Sequence, residues 1–274
     1  RNDRDNLCHR LMIVFAAHTP HTPLMLASIG KENRRKLEDT VVAMDQLAQE
    51  LYAAHPDTLL IISSHATVHD TAFSCNLHDE YRTDFSAFGD LTTTHEFAPD
   101  LALIDAMQRS LRRGQVPFTL DSESTLDYGS SVALTMLAPR LPDIRVVPVS
   151  HSGLDAKTHF KFGQHLKDIL TASNRRIAVV SSGDLSHCLS SAAPGGYKKE
   201  GEEFDASVVR AVESASASQL LTLDDALVRE ASECGFRPLL ILLGILDGRS
   251  IESEILSYEA PFGVGYLTAQ FHLL

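Results

Sequence analysis

Histidine is the chain's most conspicuous chemical resource: 13 of 274 residues are histidine, and four short apolar runs end in one. Leu11 to Ala17 runs into His18-Thr19-Pro20-His21, Thr58 to Ser64 into His65, and Arg145 to Ser150 into His151; Arg176 to Ser182 passes through Gly183-Asp184-Leu185-Ser186 to His187. Neutral imidazoles ligate divalent cations and exchange protons near pH 7, so histidines gathered at one place support metal binding, acid–base work or both. Two imidazoles and one carboxylate on one face of an ion leave open positions, the arrangement by which non-haem Fe(II) oxygenases admit substrate and O2. The same donors also hold Zn2+, Mn2+ or Co2+. His65 has few competitors as a ligand, whereas His18 and His21 compete on spacing for the second place. Glu233 lies just before Pro238 at a helix start, where capping is the default role, and it enters as the carboxylate only by elimination.

These residues need elements to bring them together. The four runs are rich in β-branched and small residues without helical spacing, which predicts short buried strands. In an open parallel α/β sheet the crevice for ligands lies outside the carboxyl ends of the strands, which is where all four runs deliver histidine. Between the first two runs Leu37, Val41, Met44, Ala48 and Leu51 recur at alternating spacings of four and three, the stripe of a helix that packs on the sheet. The first unit is therefore βαβ with a right-handed crossover. Further helices are predicted over Pro99–Gly114, Val132–Leu137, Asp155–Ala172, Glu200–Val212 and Leu239–Leu246, and a final strand over Tyr266–Leu273. From Ala66 to Pro99 no period survives, and this stretch reads as pocket wall and lid, with His69, His78 and His95 on the wall or surface. Tyr128, at a glycine-containing helix start, either offers its hydroxyl to the pocket or bonds a backbone carbonyl. The expected fold is one α/β domain over residues 1–274: a mostly parallel or mixed sheet flanked by helices, with the active site at the strands' carboxyl ends.

Composition narrows the function classes. A net charge of −12, with basic clusters no longer than Arg34-Arg35-Lys36 and Lys198-Lys199, argues against a nucleic-acid surface. No apolar run approaches the roughly 20 residues that cross a bilayer, and the apolar N-terminal segment reads as a core strand instead of a leader peptide. Cys8, Cys75, Cys188 and Cys234 are far apart with no Cys-x-x-Cys pair, which suits reduced thiols and a cytoplasmic setting. The expected partners are small molecules, and sheet edges or apolar helices are compatible with a homodimer.

Several motifs, in order, span nearly the whole chain: Pro20-His21-Thr22-Pro23-Leu24 with Ile29-Gly30-Lys31, Ser63-Ser64-His65, Leu126-Asp127-Tyr128-Gly129, Ser182-Gly183-Asp184-Leu185-Ser186-His187, Phe204-Asp205, Glu233-Cys234-Gly235-Phe236-Arg237, and Ser257 to Tyr266. Together they resemble the class III extradiol ring-cleavage dioxygenases of the LigB type, and more narrowly the branch related to Memo-type proteins. The resemblance implies Fe(II) held by His21, His65 and Glu233, with His187 as the acid/base that handles the substrate hydroxyl and the bound oxygen. It also implies O2 and a catechol-like or aminophenol-like ring as reactants. Two departures stand out. Tyr128 occupies a position where many members carry histidine, and its ordinary pKa near 10 suits a donor better than a base. Cys234 adjoins Glu233, and a site of His21, His65 and Cys234 would favour zinc or copper. The alternative implied by these departures is a metal-binding protein without ring cleavage, partnering a radical-based modification system.

Overall fold

The computed structural model describes residues 12–274. Leu11, where the first run was expected to begin, and Cys8 lie outside the described residues. Ten strands form one mixed sheet: β1 (Ile13–Thr19), β2 (Thr58–Ser63), β3 (Phe73–Asn76), β4 (Tyr81–Arg82), β5 (Glu96–Pro99), β6 (Phe118–Asp121), β7 (Arg145–Ser150), β8 (Ile177–Ser182), β9 (Ile251–Glu259) and β10 (Tyr266–Leu273). The order is β4-β5-β7-β2-β8-β1-β10-β9, with β3 joined to β7 and β6.

The four histidine-bearing strands lie side by side and run parallel, as β7-β2-β8-β1. Their register is nearly level: Ser63 pairs with both Ser150 and Ser182, and Thr19 pairs with Ser182. All four therefore stop together at one edge. Their buried Val, Ile, Leu and Ala side chains face helices on both sides, which is why these strands read as continuous apolar runs without alternation.

Six longer helices cover the faces: α1 (Glu38–Ala53), α2 (Leu101–Arg113), α3 (Tyr128–Leu137), α4 (Ala156–Ala172), α5 (Lys199–Glu213) and α6 (Phe236–Leu246). On one face α1 and α3 bury Val41, Met44, Leu47, Leu51, Val132 and Leu134 against Phe15, Ala17, Leu59 and Ile61 of the sheet. On the other, α2, α4, α5 and α6 bury Ile104, Phe162, Phe204 and Leu240 against Leu60, Ile62, Val147 and Val179. The starts of α2, α3 and α4 are fixed by the side chains of Asp100, Asp127 and Asp155, which accept the backbone N–H of Leu103, Ser130 and Thr158.

Several expectations shift. The first predicted helix divides into a 3-10 segment, Lys31–Leu37, which holds Leu37 of the stripe, and α1, and Ala48 of the stripe is half-buried while Leu47 is buried. The stretch from Ala66 to Pro99 holds three short strands, and β6 and β9 add two more that periodicity did not predict. β3, β4 and β5 are too short to show a period of two, while β9 is an edge strand whose burial alternates weakly. Among the described residues no helix is long and apolar enough to cross a membrane.

His159 of α4 joins the helix to the loop after β7: its Nδ1 lies 2.8 Å from the Asp155 carbonyl, and its Nε2 accepts from the Ser152 N–H at 3.2 Å. Burial lowers its pKa to about 4 and that of the wholly buried His18 to about 3, while the unfolded chain protonates its imidazoles near 6.5. These groups contribute stability above pH 6.5 that is lost as pH falls toward 4, because only the unfolded chain takes up protons in that window. Urea unfolding should show stability falling by roughly 1.4 kcal/mol per pH unit per such imidazole between pH 6 and 5. His159→Gln should flatten that slope by about one imidazole's share; an unchanged slope would remove His159 from the account.

Candidate metal centre

His21 follows β1, His65 follows β2, and Cys234 lies just before α6; their donor atoms all fall within 4.8 Å of one another. The Nε2 atoms of His21 and His65 are 3.1 Å apart, and Cys234 Sγ is 3.4 Å from His21 Nε2. Donors at these separations match neighbouring ligands on one cation with bonds of about 2.0–2.3 Å. His187, beyond β8, places Nε2 3.8 Å from Cys234 Sγ, and Tyr128 at the start of α3 places its hydroxyl 2.7 Å from His65 Nε2.

The surroundings set His21's tautomer. Ser182 donates its hydroxyl proton to the Gly129 carbonyl at 2.8 Å, so its oxygen accepts from His21 Nδ1–H at 3.2 Å. Nε2 is left with its lone pair toward the cluster, the form in which imidazole binds a metal. The His21 backbone N–H donates to Asp184 Oδ1 at 2.9 Å, and Asp184 Oδ2 stands 3.8 Å from His21 Nε2. On the other side Ser63 donates to Asp127 at 2.5 Å and accepts from the His65 N–H at 3.2 Å. Asp127 also caps α3 through Ser130, so the same carboxylate ties the His65 turn to the helix start that carries Tyr128.

Two glycines make the approach possible. A Cβ at Gly129 would stand 2.7 Å from Ser63 Oγ and 3.1 Å from His21 Nδ1. One at Gly183 would collide with the backbone of Gly235, the contact that brings the Cys234 segment against the loop after β8. There the Asp184 carbonyl accepts from both the Cys234 and Gly235 N–H groups, at 3.2 and 2.8 Å.

Charge is arranged for cation binding. Burial lowers the pKa of His21 and His65 to about 4 each, and burial also lowers that of His187, with Asp184 opposing it. All three rings are therefore neutral at pH 7. Burial raises the Asp184 carboxyl to about 6 and drives the Cys234 and Tyr128 groups above their ordinary values. Without a cation the thiol keeps its proton; a bound cation would release it, since metals take cysteine as thiolate. Two neutral imidazoles and a thiol poised to lose its proton are a donor set that fits a divalent transition metal.

Glu233 is not among these donors. Its Oε2 accepts the Phe236 N–H at 2.6 Å, capping α6, and burial raises its carboxyl to about 7 against the opposing pull of that N–H and Arg237. The capping geometry turns the carboxylate to the helix and leaves the adjacent Cys234 side chain facing His21. In this structure Cys234, and not Glu233, stands in the group of facing donors with His21 and His65. His18 and His151 also stand outside the group of facing donors: His18 Nδ1 lies 2.9 Å from Ser181 Oγ, and His151 Nδ1 donates to the Ser152 carbonyl at 3.0 Å. His69 pairs with Asp121 at 2.9 Å and His78 lies against the Glu80 backbone, as a wall and surface reading expects. Phe88 of the irregular stretch reaches the site and packs edge-on to Tyr128 at 5.4 Å between ring centres. Asp184, which residue-by-residue reading passed over, was signalled by its place in the Gly-Asp-Leu-Ser-His run.

The sequence profile of a known family, described as the catalytic LigB subunit of aromatic ring-opening dioxygenase, matches residues 15–269. The chain belongs to the LigB family. The 2-aminophenol 1,6-dioxygenase alpha subunit of a Pseudomonas species is 28% identical over 287 residues, covering 96% of this chain and all of that one. Protein CA_C1420 of Clostridium acetobutylicum is 26% identical over 256 residues, covering 90% of this chain. The chain spans about half, 55%, of that Clostridium protein's length. The crystal structure of protein JW3007 from Escherichia coli K12 superposes with a TM-score of 0.66 at 20% identity, covering 94% of this chain and 99% of that one, a likeness of fold.

Proposed function

We propose that this LigB-family chain is a non-haem Fe(II) dioxygenase that opens a catechol-like or aminophenol-like ring beside its hydroxylated carbon. The observation that carries the reading is the pair of imidazole Nε2 atoms 3.1 Å apart, in neutral form, at the carboxyl edge of the sheet. His21 and His65 hold the cation and Cys234 supplies the third donor, a thiolate that also accepts zinc or copper, so iron occupies the site where Fe(II) is the ion supplied; Glu233 fixes the start of α6 behind it. Fe(II) bound there supplies the electron transfer between ring and O2 that no side chain provides. His187 takes the proton from the substrate hydroxyl. Tyr128 stays protonated and donates a hydrogen bond to a substrate oxygen; its stack on His65, 4.2 Å between ring centres, holds that hydroxyl at the donor edge of the site. Phe88 packs edge-on against Tyr128 beside the site. The relative named as a 2-aminophenol dioxygenase alpha subunit supports an aminophenol among the substrates and an assembly of more than one chain.

Protein purified without oxygen and supplied with Fe(II) should consume about one O2 per ring when given catechol or 2-aminophenol, with a conjugated ring-opened product absorbing above the wavelength of the parent ring. Uptake should vanish on chelation and return with Fe(II). No iron-dependent uptake across substituted catechols and aminophenols would overturn the reading.

A further inference from the structure

A cavity of about 240 Å3 adjoins His65 and the carboxyl end of β7. Pro148 and Ser150 of β7 line it, as do His65, Asp127, Asp121 and Glu123. Among the described residues no lysine or arginine lines it. Apart from His65, the ionisable side chains that line this cavity are the three carboxyl groups of Asp121, Glu123 and Asp127. The segment carrying Glu123 is pinned: Asn76 accepts from the Glu123 N–H and donates to its carbonyl, both at 2.8 Å. Asp127 is held by Ser63 and Ser130, and Asp121 by His69.

Ser150 is the independent observation. It is only 2% exposed, it lines this cavity, and its Oγ has no hydrogen-bond partner. A buried hydroxyl without a partner costs about 1–3 kcal/mol, so such groups point to something that fills the place beside them. A small group with several N–H donors and a positive charge meets both requirements, since it donates to the hydroxyl oxygen and is attracted by the carboxylates.

We infer that this cavity is a subsite for a primary ammonium group on the substrate's side chain, reached past His65 when the ring oxygens lie at the metal centre. The inference rests on the ring-opening reading for its geometry, and it names a substrate class within it: aromatic diols bearing a short aminoalkyl chain. Carboxylate-bearing analogues are disfavoured by the same charges, which face them as repulsion with no basic residue to compensate.

Two measurements separate this inference from the reading it rests on. The first is kcat/KM of the Fe(II)-loaded protein on three catechols carrying 2-aminoethyl, ethyl or 2-carboxyethyl at one ring position. The aminoethyl compound should be preferred over the carboxyethyl one by about 10-fold or more, and Glu123→Gln and Ser150→Ala should each shrink that ratio about 3-fold or more. The second is binding of 2-phenylethylamine, ethylbenzene and 3-phenylpropionate to the metal-free protein by NMR titration, which needs no turnover. The amine should bind at least about 10-fold more tightly than the other two, with shifts centred on Ser150 and Glu123, and should weaken about 3-fold or more in Glu123→Gln. Amine binding at these residues with no ring opening of any catechol would support the subsite and overturn the dioxygenase reading. Ring opening without amine preference, or a preference that survives Glu123→Gln and Ser150→Ala intact, would overturn the subsite alone.

Discussion

His65→Ala is expected to reduce bound iron from about one ion per chain to less than a tenth, and ring opening with it, because the change removes one of two neutral imidazoles that face each other across 3.1 Å. A site of three protein donors loses affinity steeply with any one of them, and the vacated place opens toward solvent on the side of His65 that is half-exposed. The decisive comparison is between neighbours. Cys234→Ala should also lose most of the metal, since Sγ is 3.4 Å from His21 Nε2, whereas Glu233→Ala should keep it. Glu233 receives the Phe236 N–H, so its removal should instead lower stability by about 1 kcal/mol, the ordinary cost of a lost helix cap. Metal analysis of the three variants after anaerobic loading, together with their thermal midpoints, separates the roles. Iron lost with Glu233 and kept without Cys234 would restore the carboxylate as third ligand and reverse the assignment made from the geometry.

These two adjacent residues show where the sequence was informative and where it was not. The sheet edge was legible because β1, β2, β7 and β8 are buried on both faces, so their apolar runs and their histidine ends stand out without knowledge of the pairing. The level register that aligns those ends is a property of the sheet, and parallel neighbours made it the natural expectation. The choice between Glu233 and Cys234 was not legible in the same way. It depends on which of two consecutive side chains the start of α6 turns inward, and that is fixed by the Glu233 cap on Phe236 and by the close approach of Gly235 to Gly183, a contact between segments far apart in the chain. His151 illustrates the same limit. It follows a strand as His65 does, yet its ring donates to the Ser152 carbonyl and lies 6.1 Å from His159, so position at a strand end did not determine direction. The short strands of the wall escaped because four residues or fewer carry too little pattern to separate from loop, although Phe88 was visible as an aromatic in a polar stretch.

His187→Ala, in contrast, is expected to keep the iron and lower kcat by about 10²–10³, the usual loss when a positioned acid/base is removed. Its Nε2 lies 3.8 Å from Cys234 Sγ, close enough to face a substrate bound at the cation and outside the group of mutually facing donors. Burial lowers its pKa, so the ring is neutral and able to accept a proton at pH 7; activity should fall on the acid side only below the ordinary histidine value of about 6.5. Asp184 opposes the effect of burial on His187, which gives the pH profile a direction. Removing that charge in Asp184→Asn should move the acid limb to still lower pH, because the imidazolium loses its stabilising neighbour. Tyr128→Phe should be milder, about 10-fold in kcat with the acid limb unmoved, since a phenol whose pKa is raised donates a hydrogen bond and does not titrate in this range. Iron content, kcat and pH profile measured on the same preparations distinguish a proton carrier from a residue that only shapes the pocket. A His187→Ala variant with full turnover, or one that loses its iron, would place the proton transfer elsewhere, and the acid limb in Asp184→Asn would then have no reason to move.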